Sequence, residues 1–121
     1  MAINSHKDLI VWQKSMDLAV DVYALTATFP STVTYRITSQ LTRSAVSVPA
    51  NIAEGKARTT RKDFGHFLAI AQGSLAESET YVLLAIRLKY VSEGQVARIL
   101  GLIEEIGKML TTLRARIRAN T

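Results

Sequence analysis

The sequence predicts an all-α protein: an up-down-up-down antiparallel four-helix bundle, in one domain spanning residues 1–121. Three observations carry this. Apolar residues recur at three-four spacing along nearly the whole chain, the period of a helix face. Only two prolines and six glycines interrupt the pattern. The breaks are short, and short connections make consecutive helices antiparallel neighbours.

The first helix is predicted over about 5–29, with Ser5 as N-cap and Asp8 in the first turn, where its charge meets the helix dipole. Leu9, Trp12, Met16, Ala19, Tyr23 and Thr26 make one apolar face. Val11, Leu18, Val22, Leu25 and Phe29 make a second line, which a monomer does not need and which is expected to face another partner. Pro30 ends the helix.

The second helix is predicted over about 35–56, with Ile37, Leu41, Val48 and Ile52 inward. Pro49 removes a backbone donor inside it, and because the apolar spacing stays in phase across it, the expectation is one helix kinked at Pro49. Gly55 offers an end or an irregular final turn. The third helix, about 60–89, opens on Thr60 with Asp63 three residues on, a variant capping box. Phe64, Leu68, Ala71, Leu75, Ser78, Val82, Ala85 and Leu88 form its stripe. Ala71, Gly73, Ser74 and Ala76 suggest a close helix approach, with Gly73 expected to have a packing reason. Ser92 and Gln95 cap the fourth helix, about 92–119, whose heptad line is Val96, Ile99, Ile103, Ile106, Leu110, Leu113 and Ile117.

Composition bounds the function. A hydrophobic share of 48% supports a packed core. With no cysteine, disulfides and thiolate metal sites are excluded, which fits a cytoplasmic protein. The first residues lack the pattern of a signal peptide, and no apolar run reaches the roughly 18 residues of a membrane helix, so no membrane association is expected. The net charge of +5 permits a polyanionic partner.

The run Ala-Val-Ser-Val-Pro-Ala-Asn-Ile-Ala-Glu-Gly from Ala45 to Gly55 stands in order with other marks. These are Trp12-Gln-Lys, Tyr23, Phe29-Pro30, Thr38-Ser-Gln-Leu41, Arg43, Arg58 and the stretch from Ile70 to Glu77. Together they resemble the four-helix-bundle family of proteins encoded in intervening sequences of bacterial 23S ribosomal RNA genes. That fold is shared with accessory variability proteins of diversity-generating retroelements. The likeness covers roughly the first 90 residues; the fourth helix matches by pattern alone. It implies a helical protomer assembled as a homo-oligomer, commonly a pentamer, and no established enzyme activity. Retroelement members look like basic barrels that bind a reverse transcriptase and nucleic acid. The chain departs from the family pattern in two places: Thr34-Tyr-Arg-Ile37 replaces an acidic residue followed by Tyr-Gly-Leu, and Thr42 replaces an arginine. An ion pair at the start of the second helix is therefore not carried over.

Gln40, Arg43, Ser44, Ser47, Asn51 and Glu54 form a polar line, with Ser74 and Glu77 at compatible spacing on the third helix. No nucleophile–base pair accompanies them, so they read as a structural hydrogen-bond network that fixes register and satisfies groups freed by Pro49. His6 and His66 lack companions at ligand spacing, and the paired Glu-x-x-His motifs of a di-iron bundle do not occur, so no metal or other cofactor is expected. Neither glycine-rich phosphate-loop pattern occurs.

Charge is more informative. The up-down topology gathers Lys7, Lys56, Arg58, Arg61, Lys62, Arg114, Arg116 and Arg118 at one end against Asp8, Glu54 and Asp63, which accounts for the whole net charge of +5. The reading is a non-enzymatic oligomeric bundle that binds nucleic acid, RNA before DNA and without sequence specificity, through Lys56, Arg58, Arg61, Lys62, Arg114, Arg116 and Arg118. The alternative is a scaffold docking a protein partner such as a reverse transcriptase.

Overall fold

A computed structural model describes residues 5–119, without the side chain of Tyr35. Four long helices dominate: α1 (Ile10–Thr26), α2 (Ser39–Ala57), α3 (Arg61–Arg87) and α4 (Glu93–Ala119). No strand occurs among the described residues. Each helix packs against its chain neighbours, and α1 also meets α4, closing the bundle. Paired contacts fix the directions. Ser44 meets Ser78 while Ser47 meets Ser74, so α2 and α3 run oppositely. Gly107 lies against Leu75 while Ile117 lies against Gly65, which reverses α4 relative to α3. Lys14 pairs with Glu105 and Asp21 with Arg98, which reverses α4 relative to α1.

The predicted first helix is divided. Ser5 caps a 3-10 turn over His6–Asp8, accepting from the Lys7 N–H at 3.2 Å, and Leu9 is extended before α1 begins. The two apolar lines of α1 exchange roles. Val11, Leu18, Val22, Leu25 and Phe29, expected to seek a partner, are the buried core face. The other line surfaces: Met16 and Tyr23 are exposed, Trp12 and Ala19 half-buried, while Leu9 and Thr26 are buried at its ends. Ser15 explains the error. It sits fully buried within the core line, donating its Oγ–H to the Val11 carbonyl at 2.7 Å, so a polar residue hid the continuity of that face.

Irregular turns at Ser31–Val33 and Thr34–Thr38 precede α2. The latter holds Arg36 at φ −115°, ψ −107°, outside the helical region. This is the segment where the sequence departs from the family pattern, and Thr42 donates to the Thr38 carbonyl at 2.8 Å where that pattern has an arginine. From Ser39 the helix continues through Pro49 to Ala57. Dihedrals outside the helical region occur upstream, at Arg36.

Gly55 is neither an end nor an irregularity. It is buried where α2 crosses α3, and a Cβ there would lie 2.8 Å from Phe67 Cβ and 3.2 Å from the Phe64 carbonyl oxygen. A close approach of the two helices thus falls at Gly55, a glycine not singled out for it. Gly73 is exposed with nothing within 4 Å of a built Cβ, so no packing reason attaches to it. Ala71 and Ser74 are buried, whereas Ala76 and Leu88 are exposed.

Thr60 caps α3, its Oγ1 accepting from the Asp63 N–H at 3.1 Å. The return bond of a full capping box is absent among the described residues, since Asp is one carbon shorter than Glu. Ser92 and Gln95 complete theirs: the Ser92 N–H donates to Gln95 Oε1 at 2.8 Å and the Gln95 N–H to Ser92 Oγ at 3.3 Å. Helix α3 closes with the Tyr90 N–H on the Ala85 carbonyl and the Lys89 N–H on Ile86. That is a Schellman motif with Lys89, at φ 63°, in the left-handed position where glycine is usual.

The core runs the length of the bundle, from Leu9, Leu68 and Ile117 through Leu18, Leu41, Val48 and Ile106 to Val91 and Val96. The heptad line of α4 is buried as predicted except for Leu113, which is half-buried. At the end opposite the chain termini, Phe29 and Tyr90 rings meet with centroids 5.8 Å apart.

Candidate nucleic-acid interface

Charges along the barrel are largely paired. Lys14 meets Glu105 at 2.9 Å, Arg43 meets Glu77 at 3.1 Å, and Lys108 meets Glu104 at 3.3 Å. Arg98 Nε–H donates to Asp21 Oδ2 at 2.7 Å; this bond, with the Asp21 charge, raises the Arg98 pKa above its ordinary value. These solvated pairs contribute little stability.

The polar line on α2 forms a seam with α3. Arg43 bridges Gln40 Oε1 at 3.0 Å and Glu77. Ser47 and Ser74 hydroxyls lie 2.8 Å apart, and Asn51 Nδ2 donates to the Ser47 carbonyl and hydroxyl. Ser44 and Ser78, both fully buried, meet at 2.9 Å. Glu54 lies outside the seam, paired instead with Arg58 at 3.0 Å. The Arg43–Glu77, Ser44–Ser78 and Ser47–Ser74 contacts join α2 to α3, while the Gln40 and Asn51 bonds stay within α2. None of these bonds goes to the Ala45 carbonyl that Pro49 leaves without its N–H, so the crossing contacts support a role in register and none supports proline compensation.

The basic end divides. Arg61 and Lys62 from the first turn of α3, with Arg114 and Arg118 from the last turns of α4, line one open cleft of about 430 Å³. Gly65, Ala69 and Ile117 form its apolar lining and His66 completes it; among the described residues no carboxylate lines it. The i, i+4 spacing of Lys62, His66 and Gly65, Ala69 puts these on adjoining strips of α3. Arg114 Nη1–H donates to Gln72 Oε1 at 2.6 Å, and Gln72 Nε2–H donates to Thr111 Oγ1 at 2.9 Å. A neutral amide thus orients the guanidinium without cancelling its charge. Arg61 and Lys62 make no ion pair among the described residues.

The other predicted contacts fall elsewhere. Arg58 is tied to Glu54 and lies 4.8 Å above the Phe67 ring, a cation–π contact. Arg116 lines the neighbouring groove between α1 and α4, with Asp8, Leu9, Lys108 and Met109. Lys56 is half-buried in the last turn of α2. His66 and Gln72 are the residues the sequence reading missed. The four-residue spacing from Lys62 was a usable signal for His66. Gln72 stood within the Ile70–Glu77 family stretch, with no local sign of its role.

Among the described residues, no group of three His, Cys, Asp or Glu side chains is placed to hold a metal ion, and no helix is long and apolar enough to cross a membrane.

Fold and surface define a class: an all-α four-helix bundle with a polar helix seam and a cationic cleft at one end. Within that class, the pattern of the 23S rRNA-intervening sequence proteins matches residues 7–112, and the chain belongs to that family. A solved structure from Bacteroides thetaiotaomicron, a protein of unknown function from the S23 ribosomal protein family, is similar to it. The TM-score is 0.78 at 29% identity, covering 87% of this chain and 98% of that one. No curated protein matches the sequence.

Proposed function

We propose that this protein is a non-enzymatic, homo-oligomeric bundle of the cytoplasm that binds nucleic acid, RNA in preference to DNA, through the cleft between α3 and α4. The observation that carries the reading is the gathering of Arg61, Lys62, Arg114 and Arg118 around one cleft that no carboxylate lines among the described residues, whereas Lys14, Arg43, Arg98 and Lys108 each meet a carboxylate. Counterion release makes such a surface a binder of phosphate backbones. The preference for RNA rests on the family likeness, whose name places its genes in intervening sequences of 23S rRNA. Lack of sequence specificity follows from a bundle end, which offers no element shaped to read base edges in a groove.

RNA affinity measured across a salt series tests this. Wild type is expected to bind at low salt, with log K falling linearly against log salt. R61E/R114E is expected to lose at least tenfold and to flatten the slope by roughly 0.7 per lost contact on a single strand. Unchanged affinity in that variant, or no binding by wild type at low salt, overturns the proposal.

A second reading, a scaffold for a protein partner, is favoured by the exposed apolar face of α1, where Val20 is 66% and Tyr23 56% accessible. The same face is available for self-assembly, for which the family resemblance suggests a pentamer. A protein captured by the tagged chain after nuclease treatment, with no RNA bound in the salt series, would favour the scaffold.

A further inference from the structure

We propose that the α3–α4 cleft receives one unstacked nucleotide of a single-stranded RNA, its base against the Gly65, Ala69 and Ile117 lining and its phosphates toward Arg61, Lys62 and Arg114. The inference rests on the nucleic-acid reading above and narrows it to a strand state. A surface that holds only phosphates needs charge alone. Here cations surround a concave apolar lining of about 430 Å³, within the range of small-ligand sites. A duplex cannot use that lining, because its bases are stacked inward and it presents phosphates and groove edges. A single strand can, by turning a base out onto apolar surface beside a guanidinium plane. The Arg114 plane is already held by Gln72 at 2.6 Å.

Gly65 keeps the lining open. A Cβ there would meet only Ile117 Cγ2, at 3.9 Å, so a larger side chain grows into the cleft instead of into packed core. Glycine inside a helix is unfavourable, and an open cleft accounts for it.

The test compares a labelled single-stranded RNA with a blunt RNA duplex of equal length by fluorescence anisotropy, on wild type, G65L and A69L, with thermal melts to confirm folding. Wild type is expected to bind the single strand about tenfold more tightly, the value of one stacked base. G65L is expected to lose that factor on the single strand and to lose less on the duplex, so that the preference between the two RNAs disappears; A69L, narrowing the lining one turn on, acts in the same direction. Equal affinity for both RNAs with no effect of G65L or A69L overturns the inference and leaves the basic-end reading standing. Absence of all RNA binding by wild type overturns both. Adenosine monophosphate displacing the strand at an equal concentration of nucleotide would assign the cleft to free nucleotides and overturn the strand assignment.

Discussion

Two glycines in the same bundle are expected to respond to alanine with opposite signs. At Gly55 the added carbon meets Phe67 Cβ at 2.8 Å and the Phe64 carbonyl at 3.2 Å, atoms fixed to the backbone of α3 that cannot swing aside. Overpacking of this kind costs about 1–3 kcal/mol and outweighs the helix-propensity gain of up to ~1 kcal/mol. Gly55→Ala is therefore expected to lower the urea midpoint. Gly73 has open space around it, so Gly73→Ala is expected to raise the midpoint, by about 0.5–1 kcal/mol in stability. Urea melts of the two variants beside wild type check both. A midpoint rise for Gly55→Ala would mean that α2 and α3 can separate at no cost. The sequence could not rank these positions. Both are glycines inside helical patterns, and what differs is a neighbouring helix that only the folded chain supplies.

Between elements, the seam of α2 and α3 invites a cycle. Ser44 and Ser78 each carry one hydroxyl proton, yet acceptors stand at the Leu41 carbonyl, the Ser74 carbonyl and the partner hydroxyl. Replacing one serine removes the shared bond, at about 1 kcal/mol, while its partner keeps the carbonyl on its own helix; replacing both by alanine is expected to cost less than the sum of the two single changes. Denaturant melts of S44A, S78A and the double variant measure the coupling; additive losses would contradict a shared bond. At the start of α4, Ser92→Ala is expected to cost ~1 kcal/mol, since it removes the acceptor for the Gln95 N–H and loosens the reciprocal bond. Caps of this kind were legible in the sequence because they are local, a residue and its neighbour three places on. Which face of α1 lies inward was not. Both of its lines are apolar, and the decision falls to a buried serine whose bond to the Val11 carbonyl no periodicity announces.

Across the whole molecule, the bundle and its charge segregation were legible, since heptads, short turns and the sum of charges need no side-chain coordinates. The division of the basic end was not. Arg58 and Arg61 look alike on paper, yet one lies over Phe67 beside Glu54 and the other lines the cleft. Assembly belongs to this scale too. Light scattering at micromolar concentration is expected to give a multiple of the monomer mass, and Val20→Glu on the exposed face of α1 is expected to return it to one; a wild-type monomer would contradict self-assembly through that face. The antiparallel course of the helices has a practical consequence for such measurements. The chain enters and leaves the bundle beside the cleft, so a tag or surface tether fused at either terminus crowds the region where RNA is expected. The turn between α3 and α4 lies at the far end, and Gly94 within the opening turn of α4 is exposed. Because the chain holds no cysteine, Gly94→Cys gives one chemically unique handle there, from which the protein can be immobilised with its cleft facing solution.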